Sequence, residues 1–139
     1  MRTFKPFFFQ AFAIVAFLWI CSCSYTKTYT PEFNGKQSAV LDSINSKYSF
    51  EDVAVIGKKT SGTGGDHTIL TIRFVNGKNL PTNDDQMVAL AKQLAKLVKS
   101  TLKNPKEIES YTVFFDTKTV DGNTTTTKYT GHEFKPGEI

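Results

Sequence analysis

His67 and His132 are the only imidazoles in this 139-residue chain, and each has an acidic neighbour, Asp66 before the first and Glu133 after the second. A fold that brought both rings together would make them a metal pair or an acid–base set. Zinc asks for three or four ligands in fixed geometry, and the only cysteines, Cys21 and Cys23, lie near the N-terminus. A histidine at a strand end is more often a polar surface residue, and that is the expectation here. Ser61, near His67, is the one local pairing of a nucleophile with a base, and no nucleophile elbow surrounds it. The run from Gly57 to Gly65 (GKKTSGTGG) has a phosphate cradle's composition in the wrong order. A P-loop places its lysine after the glycines and leads into a helix; here the glycines follow the lysines and lead into a strand. A flexible hairpin tip is the expectation. These residues supply no catalytic set, no metal site and no cofactor site.

The cysteines point to different chemistry. Six of the 12 phenylalanines (Phe4, Phe7, Phe8, Phe9, Phe12, Phe17) and the only tryptophan, Trp19, precede Cys21. Arg2 and Lys5 form a positive n-region, followed by an apolar run from Phe7 to Ile20 broken only by Gln10. That run is shorter than the roughly 20 residues a bilayer-spanning helix needs. It ends in Ile20-Cys21-Ser22-Cys23, which resembles the lipobox of bacterial lipoproteins: Ile20 is the aliphatic residue at −3 and Ser22 the small one at −1 before Cys23. Two features depart from the family pattern, Cys21 at −2 and isoleucine where leucine is commoner. The resemblance covers residues 1–23. It implies a diacylglycerol thioether on Cys23, cleavage before it and N-acylation there. With each buried methylene contributing about 0.8 kcal/mol, one acyl chain is marginal and several hold firmly. Ser24 stands where the family's inner-membrane retention uses Asp, which points to the outer membrane. The rest of the chain has no cysteine, so an internal disulfide is excluded and the thiol reads as an attachment point. Without Arg2 and Lys5, 15 basic residues face 13 acidic ones. That net +2 is too little for the concentrated basic footprint of a nucleic-acid binder.

Three stretches follow: a signal peptide over 1–22, the lipidated Cys23 with a polar tether over 23–34, and a single small α+β domain over 35–139. The tether, SYTKTYTPEF, reaches about 35 Å at most when extended. Val40, Leu41, Ile44 and Tyr48 share one face of a short helix beginning near Lys36. A strand over 50–59, a glycine-rich tip and an alternating strand over 68–75 (Leu70, Ile72 and Phe74 on one face) form a hairpin. Met87, Val88, Leu90, Ala91, Leu94, Leu97, Val98 and Leu102 make the apolar stripe of a longer helix. Thr82 is its expected cap, Asp84 and Asp85 suit the positive end of its dipole, and Asn104-Pro105 stops it. A second hairpin alternates Tyr111, Val113 and Phe115, turns at Asp121-Gly122, and returns over Thr124–Phe134, a threonine-rich strand suited to an edge. The order helix, hairpin, helix, hairpin predicts an α+β layer: a four-stranded antiparallel sheet with the long helix packed on one face.

Two surfaces remain. Lys92, Lys96, Lys99 and Lys103 run along the back of the long helix as a solvated face, or as a contact for anionic headgroups at about 1 kcal/mol per lysine. The second hairpin, with Phe114, Tyr129 and its threonines, offers an edge to a partner strand or loop. The reading that follows is a lipid-anchored, non-catalytic module of the cell envelope that binds another envelope protein through the threonine-rich strand or the lysine stripe. The alternative is a small-ligand binder or minor hydrolase with a groove near His67 or His132. An open strand edge and separated histidines favour the first; a concave pocket with converging polar groups favours the second.

Overall fold

In the computed structural model, residues 24–62 and 64–139 are described; the signal segment and Cys23 lie outside the described residues. The chain runs β1 (Tyr25–Tyr29), α1 (Gln37–Tyr48), β2 (Asp52–Gly62), β3 (Gly65–Val75), α2 (Asp84–Thr101), a 3-10 turn (Pro105–Glu107), β4 (Ser110–Asp121) and β5 (Thr124–Phe134). The strands form one sheet in the order β1-β2-β3-β4-β5.

This sheet corrects the expected one. Among the described residues it has five strands instead of four, and it is mixed: β3 and β4 pair in parallel, Ile69 beside Ser110 through Val75 beside Asp116, while the other neighbours are antiparallel. The cause is the length of α2. Its 18 residues carry the chain about 27 Å at 1.5 Å each, enough to return it past the seven paired residues of β3, about 23 Å. The chain therefore re-enters the sheet at the end where β3 began. Parallel neighbours need a crossover of this kind.

The fifth strand comes from the stretch expected to be a tether. Residues 25–29 pair with β2 from Tyr25 beside Ser61 to Tyr29 beside Gly57. The following residues then close the C-terminal end of α2, where helix carbonyls lack intrahelical partners. The Asn34 amide donates to the Thr101 carbonyl at 2.7 Å, and its side-chain Nδ2 donates to the Leu102 carbonyl at 3.0 Å. Phe33 is buried and bridges to Leu102. This segment is part of the domain and leaves little free linker.

Both helices contribute to one core on one side of the sheet. Leu90, Ala91, Leu94, Ala95 and Val98 of α2 and Ile44 of α1 meet Val55, Leu70, Ile72, Phe74, Tyr111, Val113 and Phe115. Strand alternation puts those sheet residues on a single face, and the register aligns them as Val55–Ile72–Val113 and Phe74–Phe115. The Phe50 ring packs tilted against Phe74 with centroids 4.6 Å apart, and Phe115 stacks on Phe74 at 5.6 Å. Such pairs add to their area burial about 0.5–1.5 kcal/mol each. Burial pushes the Tyr111 phenol up to about 12, so it holds its proton as a core residue. The cap of α2 is Asn83, not Thr82: its side-chain oxygen accepts from the amides of Asp85 and Gln86.

Candidate functional site

Among the described residues the other face of the sheet carries no helix, and the register sets out what it displays. One row runs Ala54, Arg73, Phe114, Gly131; the row beside it ends in Asp116 and Tyr129. Ile56 pairs with Thr71, and Lys58 with Ile69, further along the same face. Ile56, Lys58, Thr71, Arg73, Phe114 and Tyr129 line a shallow cleft of about 350 Å³.

Three features hold the cleft's shape. Gly131 has no side chain because Phe114 lies over it: a Cβ there would stand 2.6 Å from a ring carbon of Phe114. Phe114 in turn meets Tyr129 edge-on, with centroids 6.1 Å apart and an interplanar angle of 80°, a favoured aromatic arrangement. Arg73 donates through Nε to Asp116 Oδ2 at 3.1 Å and through Nη2 to the same oxygen. The Asp116 side chain is 1% exposed and that of Arg73 46%. The guanidinium therefore lies with one edge on a buried carboxylate and the rest in the cleft. Asp116 Oδ1 is buried without a hydrogen-bond partner among the described residues.

Beside the cleft the sheet ends in β5, whose residues from Thr124 to Gly131 are all exposed. Past Asp116, β5 is the one strand of the described residues that pairs with β4. Residues Thr117–Asp121 and Thr124–Lys128 thus form a two-stranded arm projecting beyond the rest of the sheet, turning at Gly122-Asn123 with Gly122 at φ 57°. Val120 at its tip is 70% exposed. An outermost strand presents a row of unpaired backbone donors and acceptors.

The histidines are not brought together. His67 stands near the start of β3 opposite Thr60, and His132 on β5 opposite Val113. The register separates them by two strands and about five residue steps, roughly 15–20 Å, and alternation directs them to opposite faces. His67 Nδ1 lies 2.9 Å from Glu109 Oε2 at the surface. That hydrogen bond, reinforced by the same carboxylate's charge, raises the imidazole above its ordinary pKa. Asp66 is held below the usual carboxylate range by a hydrogen bond from Ser61 and by Lys59, 3.1 Å away. Ser61 thus faces Asp66 across the hairpin and not the His67 imidazole. Among the described residues no group of three or more His, Cys, Asp or Glu is placed to hold a metal ion.

The lysine stripe is partly committed. Lys99 Nζ donates to the backbone oxygens of Pro136 and Ile139 at 2.6 and 2.8 Å, tying the C-terminal segment to α2. Lys103 pairs with Glu32 at 3.0 Å. Lys92 and Lys96 are exposed; Lys96 borders a groove of about 390 Å³ between α1 and α2, with Ile44, Tyr48, Leu94 and Leu97. The GKKTSGTGG run is the β2–β3 turn region, with strand pairing reaching Gly62 and Gly65, and it makes no cradle at a helix start. Cys23 lies outside the described residues, and among those described no helix is long and apolar enough to cross a membrane.

Phe114, Tyr129 and the threonine-rich strand are legible in the sequence as a binding surface, whereas the part played by Ile56, Arg73 and Asp116 is not. Arg73 and Asp116 are 43 positions apart, and only the parallel pairing of β3 with β4 sets them side by side. No protein-family model matches the chain, and no curated protein or solved structure is significantly similar to it.

Proposed function

We propose that this chain is a lipid-anchored, non-catalytic protein of the bacterial cell envelope, held at the outer membrane through Cys23, whose domain binds another envelope protein. The observation that carries the binding reading is the bare sheet face, where a cleft walled by Ile56, Phe114 and Tyr129 and floored by Arg73 adjoins the open edge of β5. The partner this suits is an extended segment adding a strand to β5. Alternate side chains of such a strand reach one face of the sheet, so an aliphatic or aromatic group would pack on Tyr129 and Phe114 at the β5 side of the cleft. The separation of His67 from His132 gives no support to a hydrolase built on them.

A photo-crosslinking residue placed at Thr126 or at Tyr129 in the full chain, expressed in envelope-bearing cells, tests this. Both positions should trap the same protein, and one at Gln93 on α2 should not. Trapping should fall at least tenfold in a chain that also carries Arg73→Ala and Phe114→Ala. Equal trapping from Gln93, or no effect of the cleft variants, overturns the reading. Mass spectrometry of the N-terminal peptide tests the anchor separately.

A further inference from the structure

We infer that the anchor stands the domain on end, with the β2–β3 turn and the start of β1 against the phospholipid surface and the β4–β5 arm pointing away from it. The inference rests on lipidation at Cys23 and goes beyond it, because a lipid on a long linker would fix no orientation.

The linker is short. Only Ser24 separates Cys23 from β1, which begins at Tyr25, so the thioether can lie no further than about 10 Å from the sheet. The start of β1 is fixed in turn. Tyr25 pairs with Ser61, which pairs with Asp66 across the next strand. The hydroxyls of Thr26 and Thr60 meet at 3.1 Å, and the Tyr29 ring closes over Gly57. A group bonded to Cys23 is therefore bonded to the end of the sheet where β2 turns into β3.

The opposite end follows from the parallel pairing. Because Ile69 is level with Ser110, Asp121 stands about fifteen residue steps beyond the level of Gly65, roughly 50 Å at about 3.3 Å per step. The same parallel pair that overturns the expected antiparallel sheet puts the two hairpin turns at opposite ends of the molecule. An antiparallel β3–β4 pair would have put both turns at the bilayer.

The membrane end has a suitable surface. Tyr25 is 68% exposed, and tyrosine favours the boundary between headgroups and hydrocarbon. Lys27, Lys58 and Lys59 share this end with Asp66, Glu107 and Glu109, and Lys59 and His67 are already paired with Asp66 and Glu109. Charge is balanced, so the posture comes from the short covalent link and should not depend on salt or on acidic lipid.

Cleavage at the lipobox removes Cys21 and acylation occupies Cys23, which leaves no free thiol and makes single-site labelling direct. The full chain, matured in cells, is reconstituted into vesicles of phosphatidylethanolamine and phosphatidylglycerol with a fluorophore at Ser61→Cys or at Asn123→Cys. Headgroup spin-labelled lipid should quench the label at 61 several-fold more than the label at 123, unchanged in high salt. A Gly-Ser spacer of about ten residues between Ser24 and Tyr25 should abolish the difference. Equal quenching at the two positions, or a difference that survives the spacer, overturns the orientation while leaving the anchor intact. An unacylated Cys23, or a Cys23→Ala chain that stays equally membrane-bound, overturns the anchor and the orientation with it.

Discussion

The Tyr29 ring lies so close against Gly57 that a Cβ on Gly57 would stand 2.3 Å from Tyr29 Cζ. Atoms do not approach so closely, so this contact requires glycine at 57 and explains how a five-residue strand of mostly exposed side chains is held. Phe114 over Gly131 repeats the device on the other side of the sheet. Each outer pair of strands is locked by an aromatic ring lying on a glycine of its neighbour.

Gly57→Ala should displace Tyr29 and loosen β1, destabilising the domain by about 1–3 kcal/mol. Urea unfolding measures the loss. Hydrogen exchange should place it in residues 25–29, with amides of β3 and β4 retaining their protection.

Arg73→Ala leaves the Asp116 carboxylate, 1% exposed, without its cation. Breaking a fully buried pair costs about 3–5 kcal/mol; since Arg73 is half-exposed, about 2 kcal/mol is expected at neutral pH. Asp116→Asn in the Arg73→Ala background removes the unpaired charge and should recover part of the loss. A neutral effect of Arg73→Ala in urea unfolding would mean that the pair organises the cleft without stabilising the fold.

His67 should titrate above the ordinary histidine value of about 6.5, because its hydrogen bond to Glu109 favours the protonated ring. A pKa raised in the folded state means that the pair's stabilisation is fully present below about pH 6.5 and is lost as pH rises through the folded value. NMR titration of the imidazole checks this: Glu109→Gln should bring the His67 midpoint down.

Asn83→Ala should cost about 1 kcal/mol, the usual worth of a helix N-cap, and Thr82→Ala close to nothing. Equal losses in thermal unfolding would return the cap to Thr82.

Replacing residues 118–127 by a tight turn that joins Thr117 to Lys128 should leave stability within about 1 kcal/mol, since the arm pairs with no strand of the described residues outside its own hairpin, its one side-chain tie is the Lys118 amide donating to Asn76 Oδ1 at 2.7 Å, and such segments open independently. Crosslinking through Tyr129 should nonetheless be lost if the arm guides the partner strand. A large drop in melting temperature would show that the arm supports the core.

The two helices, the two hairpins and the apolar faces of β3 and β4 were legible because each is a local periodicity: Leu90, Leu94 and Val98 at helical spacing, Leu70, Ile72 and Phe74 at alternate positions. β1 was not. YTKTY buries almost no apolar surface, and its hold comes from the backbone of β2 and from one glycine 28 positions away. The direction of β4 was equally hidden, because a helix between two hairpins suits a parallel or an antiparallel return and only its length against that of β3 decides. The cleft inherits both difficulties. Its aromatic wall could be read from the second hairpin alone, whereas Arg73 reaches Asp116 only through the pairing of strands on either side of α2.

That central pairing also sets the order in which the chain can fold. Each hairpin closes from its own turn, Gly62 meeting Gly65 and Asp121 meeting Thr124, a step of microseconds. Joining Ile69 to Ser110, 41 positions apart, must first close a long loop and form α2, and non-local contacts of that kind slow folding. The seam down the middle of the sheet is then a slow step in forming the fold.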